Sequence, residues 1–226
     1  MSFKLYFKYG VMGCSKTAQA LMTKFNYEQQ GYNVLLMKPS IDTRDNHDNK
    51  TVIKSRIGLE AEAITFNKKD NLLRLFNKHK KDKIGVIIVD ECQFCSSNQI
   101  DELKELTKFV PVLCYGLKTD FRTKLFPGSK RLVEIADSLM ELKAICECGR
   151  KATVNARFKN GYLVTKGSVI DIGGDEKYKA MCYDCYKKLE KQTLKKEKQS
   201  QKQAEKNLEA NTAENENWES ETNNDL

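Results

Sequence analysis

The chain has 226 residues, with 39 Lys and Arg against 31 Asp and Glu, a formal charge of +8, and eight cysteines. That length suits one domain with an appendage, at ~150 residues per domain, and the modest basic excess fits polyanionic partners without reaching that of a DNA-coating protein. The longest apolar run, IGVIIV at 84–89, is far short of the ~18 residues that cross a bilayer, and MSFKLYFKYG at the start lacks the apolar stretch of an export signal. A cytoplasmic chain with no membrane partner is therefore expected, its cysteines reduced or bound to metal rather than paired in disulfides.

In chain order, Leu5–Tyr9 reads as a buried strand and runs into GVMGCSKT, that is Gly10, Val11, Met12, Gly13, Cys14, Ser15, Lys16 and Thr17. This matches the phosphate-loop pattern G-x-x-x-x-G-K-[ST] except that Ser15 stands at the second glycine. In such a loop, successive backbone N–H groups at a helix N-terminus cradle phosphate. Lys16 would reach the β- and γ-phosphates and the Thr17 hydroxyl would coordinate Mg²⁺. By itself the pattern equally describes a helix start with a chance lysine; its place between a strand and an amphipathic segment favours the nucleotide reading. That segment, Thr17–Gln30, is expected to turn Ala18, Leu21, Met22 and Phe25 inward and to end at Gly31.

Val34–Lys38 predicts a second strand, Asp70–Lys80 a helix with Leu72, Leu73, Leu75 and Phe76 inward, and Ile84–Asp90 a third strand. The last ends in Asp90, Glu91, Cys92, Gln93 and Phe94. An Asp at the carboxyl end of a buried parallel strand is suited to organise Mg²⁺, and Glu91 beside it to take a proton from an acceptor hydroxyl. A helix over Ser97–Phe109 and a strand over Val110–Gly116 follow. Alternating strands and helices imply an α/β fold: a P-loop NTPase-like parallel sheet with flanking helices over residues 1–143.

Residues 144–188 read as a small irregular lobe. Cys146-x-Cys148 and Cys182-x-x-Cys185 give two close pairs without a neighbouring histidine, the composition of a closed Cys₄ structural Zn²⁺ site. Cys14, Cys92, Cys95 and Cys114 are expected to be buried free thiols, and His47 and His79 have no assigned role. Residues 189–226 hold 6 lysines and 9 acidic residues and few apolar ones, which predicts a polar tail, its first part open to a helical extension and its last twenty residues unordered.

Taken together, GVMGCSKT, DTR at 42–44, DECQF at 90–94, CYGLKTDFRTKLF at 114–126, the two cysteine pairs and IGGDEKY at 172–178 resemble the type II, zinc-containing thymidine kinase family, in its enterobacterial branch. The resemblance spans about residues 3–188. It implies transfer of the γ-phosphoryl of ATP to the 5′-hydroxyl of thymidine or deoxyuridine, with Mg²⁺, in nucleotide salvage for DNA synthesis. Carried over by position, Glu91 resembles the general base and Lys16 the phosphate-holding lysine. Asp90 supports Mg²⁺ through water with Gln93 close by. Arg44 is similar to an arginine that stabilises charge on the transferring phosphoryl, with Asp42 beside it. The segment Asp45–Lys54 resembles a loop ordered by nucleotide. Met12, Phe94, Leu117, Phe121 and Phe126 resemble the base pocket, although core packing is the reading that Phe121 and Phe126 receive without the family. Val169, Asp171, Ile172 and Gly173 fall in a lasso that reads the thymine edge, making 144–188 a zinc-binding lasso domain, and Tyr178 matches a sugar contact. Two positions depart from the family: Ser15, and Asp171 where an apolar residue is usual. The family also implies a homotetramer and no nucleic-acid partner. Two other readings stay open on sequence: the same fold with turnover weakened or lost through Ser15, and a nucleic-acid-associated ATPase with a zinc module.

Overall fold

The computed structural model describes residues 2–43, 51–79, 82–169 and 177–222, with side chains at 197 and 204–222 excepted. The chain forms two units, Met1–Tyr183 and Asp184–Leu226. The first is built on a parallel sheet of β1 (Leu5–Tyr9), β2 (Asn33–Pro39), β5 (Ile64–Phe66), β6 (Ile84–Val89), β7 (Val112–Gly116) and β8 (Ser138–Glu141), ordered β5-β2-β6-β7-β1-β8. The interior strands are apolar on successive residues because both faces are covered, and the two-residue period sorts them. Leu5, Phe7, Leu35, Met37, Ile87, Val89, Val112 and Cys114 face a core shared with α2 (Leu72–His79), α3 (Ser97–Leu106) and α4 (Pro127–Ile135). The alternate residues Leu36, Val86, Ile88, Leu113 and Tyr115 pack with Ala20 and Leu21 of α1 (Lys16–Gln29).

α1 departs from its expected inner face. Ala18, Ala20 and Leu21 are buried, but Met22 and Phe25 are 54% and 58% exposed. The cause lies on the sheet: the fully buried ring of Tyr115 takes the space, and its hydroxyl shares a hydrogen bond with Thr23 at 3.0 Å and accepts one from Lys8 at 3.1 Å. A polar tip beneath the helix calls for Thr23 inward and turns the larger apolar neighbours out.

Several short elements carry too little periodicity to be read in advance: the antiparallel hairpin of β3 (Val52–Lys54) and β4 (Glu60–Glu62), β5, α4 and the edge strand β8. β3 also occupies the end of the segment 45–54 that was expected to be a loop; residues 45–50 lie outside the described ones.

The segment after 144, expected to be irregular, contains a three-stranded antiparallel sheet, β10-β9-β11, of β9 (Val154–Lys159), β10 (Tyr162–Val164) and β11 (Tyr178–Met181). β9 carries the polar alternation of a half-exposed strand, yet Val154, Asn155, Ala156 and Arg157 are all buried. Helix α5 (Tyr183–Thr222) covers the part of the tail open to a helical extension and continues over 207–222, where composition marks the chain as unordered. Its Lys, Glu, Gln and Ala are strong helix formers, and neither Gly nor Pro interrupts them. Among the described residues, no helix is long and apolar enough to cross a membrane.

Candidate active site

The phosphate loop leaves the carboxyl end of β1 and stays tied to the neighbouring parallel strand β7: Gly10 N–H donates to Gly116 C=O at 3.3 Å. Gly10 has no room for a side chain, since a Cβ would stand 2.4 Å from the Leu142 carbonyl oxygen and 2.5 Å from Cys14 Sγ. Gly13 has φ 77°, a left-handed angle that glycine takes without strain. Ser15 takes a similar one, φ 60° and ψ 25°, with its hydroxyl donating to Cys14 C=O at 2.7 Å. The serine thus supplies the backbone shape a glycine would, at a steric cost. Lys16 is buried, and its ammonium donates to Val11 C=O at 2.8 Å, with Cys14 Sγ at 3.6 Å. Val11 and Cys14 are buried and Met12 is half-buried.

Opposite the loop, β6 delivers Asp90. Thr17 Oγ1 donates to Asp90 Oδ2 at 2.8 Å, so the two residues expected to hold Mg²⁺ already meet. An alcohol and a carboxylate oxygen are hard donors suited to Mg²⁺. Burial pushes the Asp90 carboxyl up to about 7, and the neighbouring Glu91 charge adds to it; the Thr17 hydrogen bond acts the other way. Glu91, half-buried, sits at φ 52°, the left-handed start of a 3₁₀ turn over Cys92–Phe94. Gln93 is 1% exposed and spans the gap between segments: its amide donates to Glu91 Oε2, while its Oε1 accepts from Leu117 N at 2.9 Å.

Two glycines that sequence reasoning passed over make this approach possible. A Cβ on Gly116 would come within 2.5 Å of Gln93 Oε1, and one on Gly128 within 2.6 Å of Cys92 C=O. Cys92 itself is fully buried, and burial pushes its thiol, like that of Cys95, well above the ordinary range. These thiols are inert packing groups.

The residues expected around a base occupy neighbouring segments. Phe94 and Phe126 meet edge to face, ring centroids 5.8 Å apart. Ser129 of α4 donates to Leu117 C=O at 2.6 Å, and Phe121 is 2% exposed beneath the guanidinium of Arg157, 3.9 Å from its ring centroid. Asn155, also missed, accepts from Met12 N at 2.7 Å and donates to Thr119 C=O at 3.4 Å. It therefore joins β9 to the phosphate loop and to the segment carrying Phe121. Tyr178 on β11 is half-buried and pairs in register with Arg157. Val169 is half-buried, whereas Arg44, Asp171, Ile172 and Gly173 lie outside the described residues. Asp42, two residues before Arg44, is buried with its Oδ2 3.7 Å from the buried Lys38 ammonium.

Cys146, Cys148, Cys182 and Cys185 bring their sulfurs within 4.8 Å of one another. Tetrahedral Zn²⁺ with Zn–S of ~2.3 Å wants its sulfurs ~3.8 Å apart, and Cys148 and Cys182 stand at 3.6 Å. The cluster fits the ion. Arg150 helps: its Nε lies 3.5 Å from Cys148 Sγ and holds that thiol down to about 6, towards the thiolate a metal needs.

A family model described as thymidine kinase matches residues 3–186. The chain is 45% identical over 192 residues to a thymidine kinase of Legionella pneumophila (strain Lens), covering 83% of this chain and 90% of that one. It is 45% identical over 183 residues to one of Zymomonas mobilis (79% and 93%). A thymidine kinase of Photorhabdus laumondii is 39% identical over 201 residues, with 87% and 98% covered.

Proposed function

The chain belongs to the thymidine kinase family, and from that premise we propose how its residues divide the work of moving the γ-phosphoryl of ATP to the 5′-hydroxyl of thymidine. The enzyme is an ATP-dependent nucleoside kinase. The observation that carries the assignment of roles is the contact of Thr17 with Asp90, followed directly by Glu91 held through Gln93.

The loop Gly10–Thr17 binds the triphosphate through its backbone N–H groups, and Lys16 exchanges its contact with the Val11 carbonyl for phosphate oxygens. Thr17 would hold Mg²⁺, with Asp90 supporting it through water, and the ion when bound would neutralise charge on the transferred group. Glu91 accepts the 5′-hydroxyl proton. Its orientation comes from Gln93, itself pinned to Leu117 on the segment expected to meet the base. One side chain thereby fixes the base catalyst relative to the nucleoside pocket, the positioning that a direct transfer requires. Arg44 would stabilise the charge that spreads over the phosphoryl oxygens. Phe94, Leu117, Phe121, Phe126, Met12 and Tyr178 enclose thymine and sugar, with the lasso 169–173 on the base edge. Cys146, Cys148, Cys182 and Cys185 hold structural Zn²⁺. We extend the reading to a cytosolic homotetramer acting in nucleotide salvage, for which light scattering gives the mass check.

The test is Glu91→Gln. A general base contributes about 10²–10⁴ in rate, so kcat with ATP, Mg²⁺ and thymidine should fall by that factor while the thermal midpoint stays within a few degrees. Undiminished turnover removes Glu91 from the role.

A further inference from the structure

Arg157 is a buried charge outside the phosphate loop, and the roles above leave it without a task. It lies on the central strand of the antiparallel sheet and is 7% exposed. Its Nη1 donates to Ser168 C=O at 2.7 Å and its Nη2 to Lys166 C=O at 3.4 Å. Between those carbonyls Gly167 holds φ 118°, and a Cβ there would stand 3.1 Å from Nη2. The backbone of 166–168 is therefore wrapped around the guanidinium, in a shape that glycine takes without the strain a side chain would bring. The central carbon of the same group lies over the Phe121 ring, 3.9 Å from its centroid, and the register partner of Arg157 on β11 is Tyr178.

We propose that Arg157 is a positioning residue for the nucleoside: it locks the Phe121 ring and the 166–168 backbone into one rigid wall beside Tyr178. A guanidinium suits the task because it offers a stacking plane and several donors at once, whereas an ammonium offers only a point charge. Burying it without those partners would be costly, so each contact is enforced by the others. None of these contacts reaches the phosphate loop; Asn155, two residues earlier on β9, makes that link. The effect is thus directed at thymidine and not at ATP. This inference rests on the kinase reading and on Phe121 and Tyr178 as nucleoside contacts.

The experiment compares wild type, Arg157→Met, Arg157→Lys and Phe121→Leu by steady-state kinetics in both substrates. Thymidine binding by calorimetry, zinc content and thermal midpoint are measured on the same samples. Arg157→Met should raise KM and Kd for thymidine about tenfold or more, with KM for ATP within about twofold and zinc unchanged. Arg157→Lys should fall between it and wild type. Combining Arg157→Met with Phe121→Leu should cost less than the product of the single effects, because both loosen one wall. Should Arg157→Met fail to fold, Arg157→Lys decides: thymidine KM unchanged, or both KM values rising together, overturns the proposal. A lower thermal midpoint with unaltered thymidine affinity also overturns it, as that is what simple packing predicts. If wild type itself makes no thymidine monophosphate, the kinase reading fails, and that outcome is distinct from any of these.

Discussion

The Thr17 hydroxyl donates to Asp90 Oδ2 across 2.8 Å, tying the first turn of α1 to the carboxyl end of β6. Asp90 is 3% exposed and its carboxyl is pushed up to about 7, burial being the main cause and Glu91 the next. At pH 8, above that value, the protein holds an ionised carboxylate in its interior, a cost that an amide of the same shape does not carry. Asp90→Asn should therefore keep or raise the thermal midpoint at pH 8 while lowering turnover by about 100-fold or more, since the proposed Mg²⁺ site would lose a carboxylate charge. Differential scanning calorimetry beside a coupled kinase assay checks both halves; a large fall in stability would mean the charge itself holds the site together.

Ser15 presents the opposite relation between strain and use. Its left-handed backbone carries a penalty of roughly 1–2 kcal/mol for a residue with a Cβ, offset in part by the hydroxyl bond to Cys14 C=O. Ser15→Gly removes the penalty but adds ~0.5–1 kcal/mol of unfolded-state entropy. The expected outcome is a thermal midpoint about 1–3 °C higher, with an equal or lower KM for ATP. A lower midpoint would show that the hydroxyl bond outweighs the backbone strain.

These residues also mark how far the sequence could be read. The loop 10–17 and the acidic pair at 90–91 are contiguous, and each follows a strand whose apolar residues reveal it; the parallel sheet was legible for the same reason. Gln93 was noticed, but its reach to Leu117 was not, because the partner lies 24 residues away. Gly116 and Gly128 look like ordinary turn residues until the crowding of Gln93 and Cys92 against them is known. Asn155 and Arg157 mislead most. Polar residues alternating with apolar ones suggest a solvated strand face, and only tertiary contacts show both to be buried hydrogen-bonding groups. The inner face of α1 failed for a related reason: Tyr115 presents a hydroxyl where a purely apolar sheet would have accepted Met22 or Phe25.

The cysteine cluster makes a prediction about composition as well as stability. With four sulfurs within 4.8 Å, purified protein should carry one Zn²⁺ per chain by elemental analysis. Cys182→Ser should lose most of it. Because a closed thiolate site contributes directly to folding, chelation should lower the thermal midpoint and raise KM for thymidine before it affects ATP binding. Full zinc occupancy in Cys182→Ser would exclude that sulfur as a ligand.

Asp137 offers a pH test far from the nucleotide. Its Oδ2 accepts from Leu5 N at 2.7 Å at the start of β1, and its Oδ1 accepts from Lys104 Nζ at 2.5 Å. The Lys104 contact first, and the Leu5 amide second, hold its carboxyl below the usual carboxylate range. A folded-state value below the unfolded ~3.9 means the ionised form stabilises the fold; that contribution is complete above ~4 and fades as pH falls through the folded value. The side chain is 34% exposed, so solvent screening limits the contribution to about 1 kcal/mol. Asp137→Asn should thus lose about that much at pH 7, seen as a lower urea midpoint with unchanged slope. The gap between the two proteins should narrow from pH 4 downward as the wild type gives up the same interaction. A gap of equal size at pH 7 and pH 3 would assign the loss to altered hydrogen-bond geometry at Leu5 and not to the charge.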